Sequence, residues 1–211
     1  MPERGDRSQK EEGEMTHNVL LTGVGGEGVL LTSVIVLRAA VNEGYDVRGT
    51  QLHGLAQRGG SIPTHVRFGK GVHSPLIPRG QADLILGLEP LEAARVCYFA
   101  DKGRTNFIVD TYPVKPVYWN IHGHIYPSNE KIKGMIEPFA RKCIFVDASN
   151  ICKKKFGNPI FGNVMALGVA ISEGMLPLSE KSILEALKKT VPRGFEKNME
   201  AFRMGMDFKG Q

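Results

Sequence analysis

Apolar residues in this chain come in short blocks separated by glycine turns and by stretches of helical length. Val19, Leu20 and Leu21 form the first block, short enough for a buried strand. A mostly apolar segment over 29–42 has the length of a helix, and Gly44 stands where a C-capping glycine belongs. A second short strand is predicted over 46–51, with Val47 as its main apolar member. Over 62–68 the sequence IPTHVRF alternates apolar and polar positions, the pattern of a half-buried strand, and Pro63 argues that it starts at an edge. Apolar runs over 82–87, 105–110 and 143–148 read as further buried strands. Pro90 opens a helix running to about residue 99, and an amphipathic helix is predicted over about 130–142. The chain then ends in helices over about 163–173, 180–189 behind an N-cap at Ser179, and 196–206. Strands alternating with helices predict a three-layer α/β/α domain with a mostly parallel, mixed sheet and a Rossmann-like first βα unit.

With 211 residues and 42% apolar composition, the chain has material for one well-buried core. The expected organisation is a leader over 1–16 and a single domain over 17–211, with an arm at about 112–128 that holds Tyr118, Trp119, His122, His124 and Tyr126. The leader is charged and poor in large apolar groups, so disorder is expected there. The formal charge of +5 fits either an ordinary solvated surface or an acidic ligand or partner. No basic stripe interleaves with aromatics, so a nucleic-acid reader is not expected. No apolar run reaches the ~20 residues of a membrane span. Cys97, Cys143 and Cys152 form no C-x-x-C pair. They offer neither zinc nor an iron–sulfur cluster a ligand set, and they read as reduced thiols of a cytoplasmic protein.

Candidate chemistry gathers between residues 18 and 61. Gly23, Gly25 and Gly28 form a G-x-G-x-x-G turn between the first strand and first helix, with Gly26 inside it. Such a turn presents backbone N–H groups and the positive end of a helix dipole to an anion; it also serves simply to bring helix and sheet close together. A dinucleotide site would require a carboxylate about 20 residues on for the ribose. None occurs between Asp46 and Asp83, where Arg48, Arg58, Arg67, Lys70 and Arg79 all fall. That span suits a phosphate or carboxylate, and Arg48 leaves an NADP reading open. A second glycine loop, HGLAQRGGS, adds His53, Gln57, Arg58, Gly59, Gly60 and Ser61 at the predicted carboxyl end of a strand. Arg58 has two readings: a bidentate ligand for an anion, or an internal ion pair with Glu89 or Asp110. His53 is a proton relay or a hydrogen-bonding scaffold. Glu89 is expected to cap the helix after it, Asn163 to cap a later one or join a second anion contact, and the run Lys153–Lys155 to lie in a solvated loop.

The segments GVGGEGVLLTS, GYDVRGTQLHGLAQRGGS, GLEPLEAAR, GNVMALG and NMEAFRMG, in that order, resemble the gamma-type domain of the 2-oxoacid:ferredoxin oxidoreductases. The form H-G-x-x-Q-R-G-G over 53–60 is most like the small subunit of the indolepyruvate branch. The resemblance implies a subunit inactive alone, which helps oxidative decarboxylation of a 2-oxoacid to an acyl-CoA. It places thiamine diphosphate, magnesium and the iron–sulfur clusters on a larger partner subunit, with ferredoxin as electron acceptor and CoA as co-substrate. Arg58 and His53 are then the candidate catalytic groups. Gly23, Gly25, Gly26, Gly28, Gln57, Gly59, Gly60 and Ser61 are candidates for binding an anionic cofactor, and no metal ligand is expected. A stand-alone nucleotide-binding regulatory module, or a subunit of a pyruvate or 2-oxoglutarate branch enzyme, remains the alternative.

Overall fold

Leu20 and Leu21 lie on a strand wholly withdrawn from solvent, and their side chains belong to different cores. That strand, β1 (His17–Thr22), is the axis of the computed structural model, which describes residues 16–26, 28–51, 60–115, 125–191 and 193–209. It leads through the glycine turn into α1 (Val29–Asn42), whose end is closed by Gly44 in the left-handed region at φ 82°. Next come β2 (Asp46–Gln51), β3 (Thr64–Gly69), β4 (Leu84–Gly87), α2 (Pro90–Arg95), β5 (Asn106–Asp110), α3 (Asn129–Ile136) and β6 (Lys142–Val146). Four helices end the chain: α4 (Ala148–Phe156), α5 (Gly162–Ser172), α6 (Glu180–Thr190) and α7 (Phe195–Met206).

The six strands form one sheet in the order β2-β3-β1-β4-β5-β6. β1, β4, β5 and β6 run parallel, while β3 is antiparallel to both of its neighbours. Alternation along the strands separates two cores. Val19, Leu21, Leu84, Leu86 and Ile108 pack with α1 and α4 to α7; Leu20, Ile85, Phe107 and Val109 pack with α2, α3 and the 3₁₀ turn Cys97–Phe99. The connections after β1 and β4 thus leave for opposite faces. Their carboxyl ends border the crevice where open α/β sheets bind ligands.

Several sequence expectations are corrected. β3 is interior, not an edge strand, because β2 pairs outside it, and five of its six residues are buried, so the polar positions of IPTHVRF do not mark a solvent face. The helix opened by Pro90 gives way after Arg95 to the separate 3₁₀ turn. The helix predicted over 130–142 stops at Ile136, where the 3₁₀ turn Glu137–Phe139 contains Pro138, and Lys142 already belongs to β6. Lys153–Lys155 form the last turn of α4, a helix the sequence reading missed, where cations meet the negative end of the dipole before Gly157 at φ 78°. Ser179 caps α6 by accepting from the amide of Ser182, as expected. Residues 1–15 of the leader and 116–124 of the predicted arm lie outside the described residues.

Candidate functional site

The turn after β1 needs glycine for geometric reasons. Gly26 (φ 102°) and Gly28 (φ 82°) lie in the left-handed region, and Gly28 is the N-cap of α1. A methyl group on Gly28 would also overlap the Asn163 side-chain amide. Two backbone hydrogen bonds join this turn to the end of the second glycine loop: Gly25 N–H donates to Gly60 O at 2.9 Å, and Ile62 N–H to Gly23 O at 3.0 Å. Val24 and Ser61 form an isolated antiparallel bridge between them. Gly23, Gly25, Gly26, Gly28, Gly60 and Ser61 thus meet at the carboxyl rim of the sheet. His53, Gln57, Arg58 and Gly59 lie outside the described residues.

This join alters the picture of a donor-rich cradle. The amide of Gly25, expected to face an anion, is spent on Gly60. The Gly28 carbonyl accepts from Thr32 N–H at 3.0 Å, from Thr32 Oγ1 at 3.1 Å and from Asn163 Nδ2 at 3.4 Å. Asn163 therefore caps no helix; it sits inside α5 and ties it to the turn. Gly162 is required by contact, since a Cβ there would meet Ser149 Oγ at 2.5 Å and the Ser149 backbone at 2.6 Å.

Beside the turn lies a cavity of about 210 Å³. Leu88, Val114, Pro159 and Ile160 supply apolar wall; Asp110, Ser149, Asn158 and Asn163 supply polar groups. Asp110 ends β5 and is 1% exposed. Its carboxylate accepts from Ser149 Oγ at 2.5 Å and from the amides of Ser149 at 3.1 Å and Tyr112 at 3.2 Å. Burial nevertheless pushes its pKa up to about 6, with the nearby Asp147 charge acting the same way against those hydrogen bonds. The sequence reading did not select Asp110 for this site. The available signal was an apolar strand ending in an acid, FIVD, which in a parallel sheet delivers a carboxylate to the ligand-binding rim.

A larger apolar groove of about 590 Å³ runs along the other side of the turn, past Val24, Leu31, Val34 and Ile62. Leu30 and Ile160 on its border are 55% and 41% exposed. Glu89 caps α2 as expected, accepting from Glu92 N–H at 2.8 Å. The same carboxylate accepts from Tyr126 Oη and from Val114 N–H at 3.4 Å, so it holds both described ends of the predicted arm. Its pKa is raised by burial.

Among the described residues no three His, Cys, Asp or Glu side chains converge to hold a metal ion. Burial pushes Cys97 up to about 11 and both Cys143 and Cys152 up to about 12, so all three rest as thiols near neutral pH. Among the described residues no helix is long and apolar enough to cross a membrane.

Comparison with known proteins places this architecture. The indolepyruvate oxidoreductase subunit IorB of Pyrococcus horikoshii is 36% identical over 192 residues, which cover 90% of this chain and 94% of that one. The crystal structure of a keto/oxoacid ferredoxin oxidoreductase gamma subunit from Geobacter sulfurreducens superposes with a TM-score of 0.62 at 24% identity, covering 90% of this chain and 96% of that chain. A 2-oxoglutarate:ferredoxin oxidoreductase from Magnetococcus marinus, solved with 2-oxoglutarate, coenzyme A and succinyl-CoA bound, matches with a TM-score of 0.69 at 18% identity; the match covers 91% of this chain and 30% of that one. The pyruvate ferredoxin/flavodoxin oxidoreductase family model matches residues 18–208, and with the relatives above it shows that the chain belongs to that family.

Proposed function

We propose that this chain is the cluster-free small subunit of a 2-oxoacid:ferredoxin oxidoreductase acting on arylpyruvates such as indolepyruvate. Its joined loops would face a larger cytoplasmic subunit that carries thiamine diphosphate, magnesium and iron–sulfur clusters. Those groups supply decarboxylation and electron transfer to ferredoxin. This chain supplies a shaped rim and, in Arg58, a guanidinium for a substrate carboxylate or a CoA phosphate, with His53 as scaffold or relay. The observation that carries the reading is the hydrogen-bonded join of Gly25 to Gly60, which brings the end of the Arg58 loop to the first glycine turn at a ligand-binding rim. The name of the Pyrococcus horikoshii relative supports the aryl substrate, and the CoA in the Magnetococcus marinus structure supports the co-substrate.

Reconstitution with the larger subunit tests the proposal. CoA-dependent reduction of a viologen dye by indolepyruvate should require this chain. Arg58→Ala should lower kcat/KM by about 30-fold, the effect of losing ~2 kcal/mol of charge-assisted contact, with the complex still assembled. Equal turnover with and without the chain sinks the reading.

A further inference from the structure

The cavity walled by Asp110 has a chemistry that differs from the anion-binding rim. Its volume of about 210 Å³ lies below the roughly 300–1,000 Å³ of sites that hold whole drug-sized ligands, so it fits a ring-sized fragment rather than an intact nucleotide cofactor. Among the described lining residues there is no Lys or Arg, and the one acid, Asp110, opposes entry of an anion. Lys153 Nζ is held over the ring of Tyr112, 5.8 Å from its centroid, leaving that ring as a polarised aromatic wall. Pro159, Ile160, Leu88 and Val114 add apolar surface to the same space. Ser149, Asn158 and Asn163 contribute short polar groups, and none carries charge.

We propose that this cavity is a binding pocket for a flat, uncharged heteroaromatic ring bearing an N–H donor, with the Asp110 carboxyl group as acceptor and Tyr112 and Pro159 as ring contacts. Two molecules in the proposed reaction carry such a ring: the indole of an arylpyruvate and the adenine of CoA. The inference rests on the proposed function only for this choice of sources. The cavity's size and charge stand without it.

The test uses the full-length chain and amide-detected NMR, with no turnover required. Indole is compared with benzothiophene, which keeps the shape but has sulfur in place of N–H. Adenosine is compared with purine riboside, which lacks the amino group. At least one N–H-bearing probe should shift the amides of Ser149, Tyr112 and Asn163 at millimolar concentration, and its partner should bind about tenfold more weakly. Preference for indole assigns the pocket to the substrate ring, and preference for adenosine assigns it to the CoA nucleoside; either result upholds it. Because Asp110 also braces α4, Asp110→Ala is paired with Ile160→Trp, which fills the cavity from its exposed border and should abolish the shifts in a folded chain. Equal binding within both pairs, shifts elsewhere, or no binding at these concentrations overturns the proposal. Loss of the reaction in the reconstituted complex would sink the functional reading without touching this result.

Discussion

The phenol of Tyr126 donates to the buried carboxylate of Glu89, while the amide of Leu91 donates to the phenol oxygen at 3.3 Å. Glu89 caps α2 through its other oxygen, so one side chain couples a helix start to both described ends of the predicted arm. Removing the hydroxyl leaves a buried acid with one donor fewer. Tyr126→Phe should therefore destabilise the chain by about 1–3 kcal/mol, read from urea unfolding at neutral pH. A variant as stable as the wild type would mean that the contact holds nothing in place.

Asp110 makes stability depend on pH in a direction opposite to that of an ion-paired carboxylate. Its native pKa is raised from 3.8 to about 6, so the folded chain holds this proton more tightly than the unfolded chain. Protonated Asp110 supports the fold fully below about pH 4, and that support disappears as pH rises through about 6. Asp110→Asn cannot titrate, whatever its fixed offset. The stability gap between wild type and variant should shift toward the variant by about 2 kcal/mol between pH 4 and pH 7. Glu89, also raised, is present in both proteins and cancels. Parallel pH–stability curves would refute the shift.

The sequence revealed the fold where local chemistry and tertiary placement agreed. The glycine turn, α1, β2 and the Ser179 cap follow from residues within a few positions of one another. The strand character of β3 was legible too, but its interior, buried place was not, because Thr64, His65 and Val66 are buried by strands and helices remote in the chain, which no local alternation encodes. α4 was obscured by three adjacent lysines that its amide dipoles accommodate at the helix end. At the site, Gly26 and Gly28 were legible because their positive φ demands glycine. Asp110 was not, since its importance depends on α4 delivering Ser149 from 39 positions away.

Gly28 and Asn163 form the contact that sets the glycine turn against α5. Gly28→Ala adds left-handed strain and places a methyl group against the Asn163 amide, so a loss of about 2–4 kcal/mol is expected from thermal or urea unfolding. Asn163→Ala removes the obstruction and leaves the strain. In the double variant the cost of the Gly28 change should fall by about 1 kcal/mol or more, a coupling a double-mutant cycle resolves. Strict additivity would show that the two residues do not meet in solution.

Two of the fragments that carry the family resemblance, GNVMALG and NMEAFRMG, acquire a reason in the crossing of α5 and α7. A Cβ on Gly168 would overlap the Phe202 carbonyl oxygen, and one on Gly205 would overlap the Met165 carbonyl oxygen; the latter would also meet the Gly168 Cα at 3.0 Å. The obstacles are backbone atoms in regular helices, which cannot turn aside as a side chain can. Accommodating even one methyl group requires the helices to separate, loosening Val164, Leu167, Ala201 and Phe202 in the core beneath α1 and α6. Gly168→Ala and Gly205→Ala should each cost at least about 3 kcal/mol, despite alanine's better helix propensity, which favours the substitution by only about 1 kcal/mol. Gly134→Ala is the control, since its added methyl meets nothing within 4 Å and it lies within α3. It should stabilise slightly. If the Gly168 and Gly205 variants instead melt with the Gly134 variant, the two helices are not packed at backbone distance.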